Sequence, residues 1–152
     1  MKKRFVSLLL AISMILSLMP VSAVTAFAEG ENGGEVKASG YCGAESGGKI
    51  LSWKLDNNGV LTITGSGPMK DYAWYSEGYR PYWYRYKDEI TSVVFNGEIT
   101  NIGAYAFDQC ANIQKVKYTN YIGEAGVALP ESIIKIGDFA FSRTGVTGTL
   151  EL

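Results

Sequence analysis

The 152-residue sequence contains no histidine. That removes Ser-His-Asp and Cys-His catalysis, His-ligated zinc and most general-base schemes near neutral pH. Cysteine is nearly absent too. Cys42 and Cys110 are too few for a four-thiolate zinc site, and their separation of 68 positions carries no disulfide framework. A bond between them is chemically allowed in an exported chain, but two buried free thiols are the default expectation. No glycine-rich phosphate loop is present, because Gly65-Ser66-Gly67-Pro68 reads as a turn. Asp56-Asn57-Asn58-Gly59 is too short for a calcium loop and lacks the downstream Glu. No metal or cofactor is expected. Carboxylate-pair chemistry needs only Asp and Glu, and Asp88 with Glu89, or Asp71 with Glu77, would supply them. Any acidic chain offers such pairs, so a non-enzyme is expected.

A basic excess is also missing. Lys2, Lys3 and Arg4 are the charges of residues 1–28, and the remainder carries 11 basic against 15 acidic residues, a formal charge of −4. Nucleic acid would want clustered Lys and Arg, so it is not an expected partner. The apolar run Phe5–Met19 spans 15 residues, short of the about 20 that a membrane helix needs. Its basic flank and the small residues of Ala26-Phe27-Ala28 predict a cleavable export signal over residues 1–28, cut before Glu29. Val21-Ser22-Ala23 is the second cleavage choice. A secreted or extracellular chain follows, with no membrane insertion after cleavage. Glu29 to Gly40 is rich in Gly and Glu, which predicts a flexible leader over residues 29–39.

What the sequence does have is a repeat. Ile99-Thr100-Asn101-Ile102-Gly103-Ala104-Tyr105-Ala106-Phe107 returns as Ile133-Ile134-Lys135-Ile136-Gly137-Asp138-Phe139-Ala140-Phe141, offset by 34 residues. Beside it, Ile90-x-x-Val93-x-Phe95 returns 23 residues later as Ile113-x-x-Val116-x-Tyr118, and Leu150-x-Leu152 follows after another 34. A fixed period in this range predicts an α/β solenoid, rich in strand, whose strands one turn apart pair in parallel. Under period-2 alternation Val93, Phe95, Val116, Tyr118, Leu150 and Leu152 point inward, while Val94, Lys117 and Glu151 point outward. The change of period from 23 to 34 places an 11-residue surface insertion at about Thr119–Leu129.

Ahead of the repeats, Ile50–Leu55 and Val60–Thr64 alternate like strands around Asp56-Asn57-Asn58-Gly59, which predicts a hairpin. Tyr72–Tyr86 then carries eight aromatics interrupted by Gly78 and Pro81, and reads as irregular with one helical turn. These rings have two uses. Trp83 and its neighbours can plug the open end of a stack of repeats. Exposed rings, for which Tyr72, Trp74, Tyr75 and Tyr79 are the candidates, can form a ligand platform. The outward strand residues Val94, Lys117 and Glu151 are the second candidate surface.

Leu129-Pro130-Glu131-Ser132-Ile133, Ile136-Gly137, Ala140-Phe141 and Ala106-Phe107-Asp108-Gln109-Cys110-Ala111-Asn112-Ile113 resemble the repeats of the BspA-type leucine-rich-repeat family. Gly40-Tyr41-Cys42-Gly43, Trp53-Lys54-Leu55, Gly59–Ile63 and Pro81–Tyr84 are similar to the segment that often precedes such repeats. The 34-residue turn and Thr144 at the position of the second repeat's Cys depart from the pattern. The resemblance implies a β-hairpin and aromatic cap over residues 40–89, leucine-rich repeats over 90–152, and a non-catalytic surface or secreted protein. It implies adhesion or protein–protein interaction, with an extracellular protein or glycan as ligand. A carbohydrate-binding module and a purely structural cap of a longer protein are the rival readings. About two and a half turns are visible, so the sequence is expected to be a fragment or marginal alone.

Overall fold

The computed structural model describes residues 34–122, 126–147 and the backbone of 150–151. The expected export signal and the start of the leader lie outside the described residues.

Leu51, Trp53 and Leu55 alternate with Ser52 and Lys54, and this pattern forms β2 (Leu51–Asp56) with one buried face. It pairs antiparallel with β3 (Val60–Gly65), Trp53 opposite Ile63. The turn between them is held by one side chain. Asp56 accepts the backbone N–H groups of Asn58 and Val60, each at 2.9 Å, and that of Gly34 at 3.2 Å. These bonds explain why a carboxylate is buried there.

On the other side of β2 lies β1 (Val36–Tyr41), paired antiparallel with it. This corrects the flexible leader, which was expected to reach residue 39. β1 has Ala38 and Gly40 on its inner side, so its apolar signal is faint, but β2 supplies a hydrogen-bonding edge.

From β3 onward the sheet turns parallel. It continues through β5 (Ser92–Asn96), β7 (Lys115–Tyr118), β8 (Val127–Ala128) and β10 (Leu150–Glu151), giving the order β1-β2-β3-β5-β7-β8-β10. Leu61, Val93, Val116, Val127 and Leu150 stand in one register column. A second sheet stacks β4 (Gly67–Pro68), β6 (Ile99–Ile102) and β9 (Lys135–Ile136) in parallel, with Ile102 opposite Ile136. The parallel pairing and the inward set Val93, Phe95 and Val116 agree with the sequence expectation. Tyr118 is half-buried.

Two expectations fail. No α-helix occurs among the described residues; the chain returns through turns and short 3-10 segments, so the α component of the α/β reading is wrong. The connections are filled instead by turns whose backbone bonds run to the neighbouring layer, as at Tyr105, Phe107 and Gln109. The surface insertion at Thr119–Leu129 is also wrong in its second half. Val127, Ala128 and Leu129 are buried, and Val127 pairs with Val116. The 34-residue step from Val116 to Leu150 is an 11-residue step to Val127 followed by a 23-residue step.

The glycine of each I-G-x-x-A-F segment has a packing cause. A Cβ on Gly103 would collide with the Lys70 carbonyl, and one on Gly137 with the Ala104 amide nitrogen. The layers are bonded there: Ile134 N–H to Thr100 O at 2.8 Å, Gly137 N–H to Ile102 O at 2.8 Å, and Phe107 N–H to Ala140 O at 2.8 Å. Only glycine allows backbones this close.

The core is aromatic at its centre. Fully buried Trp83 stacks on Phe107 at 5.8 Å and meets Trp53 and Tyr72 edge-on, each at 5.7 Å. Phe107 in turn stacks on Phe141 at 5.2 Å. Each ring of this size contributes about 1.5–3 kcal/mol through burial. Trp83 Nε1–H donates to the Ala106 carbonyl at 2.8 Å, so its polar end is satisfied. Cys42 and Cys110 are buried free thiols, and burial pushes each up to about 12.

Candidate functional site

Two surfaces gather the candidate residues. The first is the segment from Tyr72 to Tyr86. Tyr72 N–H donates to Ala104 O at 2.9 Å, Tyr84 OH to Gln109 Oε1 at 3.0 Å, and Trp83 is locked in the core. The segment is thereby fixed on the repeats at both ends. Pro81 opens a 3-10 turn over Tyr82–Tyr86, with Tyr84 N–H bonded to Pro81 O at 2.9 Å. A second, over Glu77–Tyr79, closes the loop before it, and Ala73 N–H bonds to Tyr79 O at 2.8 Å.

This geometry divides the rings by role. Tyr72 was expected to be exposed, but only 8% of it is accessible. It packs edge-on against Trp83, its backbone held by the Ala104 carbonyl, and burial pushes its hydroxyl far above the ordinary tyrosine range. Trp74, Tyr75 and Tyr79 are exposed at 57%, 69% and 57%. They sit together, Trp74 against Tyr75 at 6.3 Å and Tyr75 against Tyr79 at 6.0 Å. Sequence reasoning missed Tyr82, which is 67% exposed beside its fully buried neighbour Trp83. In irregular backbone no period marks which ring turns outward.

Arg80 stiffens the loop. Its Nε and Nη2 donate to the Trp74 carbonyl at 3.2 and 2.8 Å, and its guanidinium lies 4.0 Å from the Tyr84 ring centroid. Trp74, Tyr75, Arg80, Tyr82, Tyr84 and Arg85 line a groove of about 780 Å³. Of the four carboxylates named from the sequence, Asp71 accepts from Ala104 N–H at 2.8 Å, Asp88 pairs with Lys87 and Glu89 pairs with Lys37, while Glu77 lines the groove. Among the described residues no group of three or more Cys, Asp or Glu side chains could hold a metal.

The second surface is the outer face of the long sheet. Lys54, Thr62, Val94 and Lys117 stand opposite one another across β2, β3, β5 and β7. Strands lie about 4.8 Å apart, so Lys54 and Lys117 are about 14 Å apart at the backbone. Val94 is half-buried between Thr62 and Lys117, and Lys117 is exposed. Lys115 adds a third exposed cation on β7. The ion pairs among the described residues join Lys37 to Glu89, Lys87 to Asp88 and Arg143 to Asp108, and none involves these three lysines. Glu151 follows in β10, its backbone opposite Ala128; its side chain lies outside the described residues.

Residues 79–151 match, in six copies, a family described as BspA type leucine-rich repeat region. No curated protein matches the chain. Among solved structures, the chain is similar to the crystal structure of a leucine-rich repeat protein from Eubacterium ventriosum, at 32% sequence identity and a TM-score of 0.54. The similarity covers 73% of this chain and 25% of that one, so the chain spans about a quarter of that protein's length.

Proposed function

Since residues 79–151 are BspA-type leucine-rich repeats, we propose that the chain is an exported, non-catalytic interaction protein that binds through the outer face of its parallel sheet. Repeats of this family generally mediate protein interactions. The stacked layers form a short solenoid. Export rests on the basic start, the 15-residue apolar run and the small residues before Glu29. No helix among the described residues is long and apolar enough to cross a membrane.

One observation supports the choice of surface: the register row Lys54–Thr62–Val94–Lys117 brings two cations without ion-pair partners among the described residues, and one hydroxyl, onto one face of the sheet. In a chain whose residues 29–152 carry a formal charge of −4, that local sign selects an extracellular partner with an acidic patch. Electrostatic complementarity of this kind acts mainly on specificity and on-rate.

The test is an array of extracellular-matrix proteins probed with the wild-type protein and with the double variant Lys54→Glu/Lys117→Glu. Both positions are exposed, so the fold is unaffected. Binding to an acidic matrix protein that the double variant loses supports the reading. Binding that ignores both charge reversals contradicts it.

A further inference from the structure

We infer that the aromatic groove between the Ala73–Tyr79 loop and the Tyr82–Tyr86 turn is a second binding site, for an anionic saccharide. This site is independent of the sheet face.

Four large aromatics, Trp74, Tyr75, Tyr79 and Tyr82, are each more than half exposed within nine residues. The fold does not require this, since Trp83 and Tyr72 of the same segment fill the core. The rings are also held in advance. Arg80 clamps the Trp74 carbonyl with two bonds, Ala73 N–H closes on Tyr79 O, and the rings brace one another at interplanar angles of 83° and 39°. Little ordering remains to be lost when a ligand arrives.

The chemistry of the walls selects the ligand class. Ring faces at differing angles suit the C–H faces of pyranose units. Arg80 and Arg85 line the groove with a single carboxylate, Glu77, and guanidinium groups bind carboxylate or sulfate oxygens bidentately. Tyr82 and Arg85 also border an adjoining hollow of about 450 Å³, so a ligand longer than one sugar can extend past Tyr82. That hollow is lined by Trp53, 4% exposed, whose Nε1 is the buried side-chain donor without an acceptor among the described residues. A Cβ on Gly40 would lie 2.8 Å from that nitrogen, so the donor rests against the glycine's bare face, which itself lines the hollow.

A peptide fits the groove less well. The backbone N–H groups of Ala73, Tyr79, Arg80 and Tyr84 are bonded within the segment, which leaves them closed to an added strand.

The experiment is titration of the protein, read by tryptophan fluorescence and calorimetry, with four probes. These are a hexagalacturonate, a sulfated hexasaccharide, neutral cellohexaose and a hexaglutamate peptide. One of the two anionic saccharides is expected to bind at least about tenfold more tightly than cellohexaose, and which one identifies carboxylate or sulfate as the group read. Arg85→Ala and Tyr75→Ala, both at exposed positions, should each weaken it by about tenfold. Lys54→Glu/Lys117→Glu should leave it within about threefold. Equal binding of cellohexaose, tighter binding of hexaglutamate, no saccharide binding, or loss of binding in the lysine variant with Arg85→Ala unaffected would each overturn the assignment.

Discussion

The two copies of the I-G-x-x-A-F segment are nearly the same in sequence and differ in burial. Ile102, Ala106, Phe107 and Cys110 of the first copy are fully buried. In the second copy Ala140 is buried, but Ile136, Phe141 and Thr144 are only half-buried. The backbone does not cause this. Tyr105 and Phe139 adopt φ values of 53° and 57°, and Gln109 and Arg143 values of 65° and 55°. The same left-handed positions recur at the same places, so the local conformation is set by the motif. Neighbours cause the difference. Phe107 lies between Trp83 and Phe141, whereas Phe141 has Phe107 as its ring partner among the described residues. The motif fixes a shape, and stacked layers supply its burial.

Trp83→Ala should be the most damaging change, because it empties the space that makes the first copy a core layer. A loss of about 3–5 kcal/mol is expected in chemical denaturation. Gly103→Ala and Gly137→Ala should each cost about 1–3 kcal/mol by overpacking. Here the two copies should behave alike, since both glycines meet backbone of the preceding layer.

Alkaline pH gives an effect that grows with each pH unit. Both thiols are raised to about 12 in the folded state against an ordinary 9.0. The unfolded chain therefore releases these protons first as pH rises. Stability is full below about pH 9 and falls between about 9 and 12, by about 1 kcal/mol per thiol at the first pH unit. Melting temperatures from pH 7 to 11 would check it, and Cys42→Ala/Cys110→Ala should flatten the slope.

Asp108→Asn should have the smallest effect. Buried Asp108 accepts from Arg143 Nη2 at 2.8 Å and Nε at 3.1 Å, which ties the first copy to the second. The Arg143 side chain is 62% exposed and stays hydrated when released, so a loss of about 1 kcal/mol is expected. Arg143→Ala should cost more than Asp108→Asn, because it leaves the buried Asp108 carboxylate without its cation.

Much of this arrangement was legible in the sequence where periodicity exists. The hairpin, the parallel pairing and the inward set Val93, Phe95 and Val116 follow from period-2 alternation and a fixed repeat. The same alternation put Val94 and Lys117 on the outer face, where pairing aligned them with Lys54. Where no period exists, the reading failed. β1 is carried by small residues and β8 is two residues long, so neither shows an apolar pattern of its own. Tyr72 inward and Tyr82 outward are set by tertiary packing around Trp83. The return segments bond their backbone to the neighbouring layer rather than along a helix, which the motif's composition does not reveal.

The most direct measurement is the paired denaturation of Phe107→Ala and Phe141→Ala under identical conditions. If neighbours supply the burial, Phe107→Ala should cost about 3–5 kcal/mol and Phe141→Ala about half of that. Equal losses, or a larger one at Phe141, would contradict the layered packing on which both proposed surfaces rest.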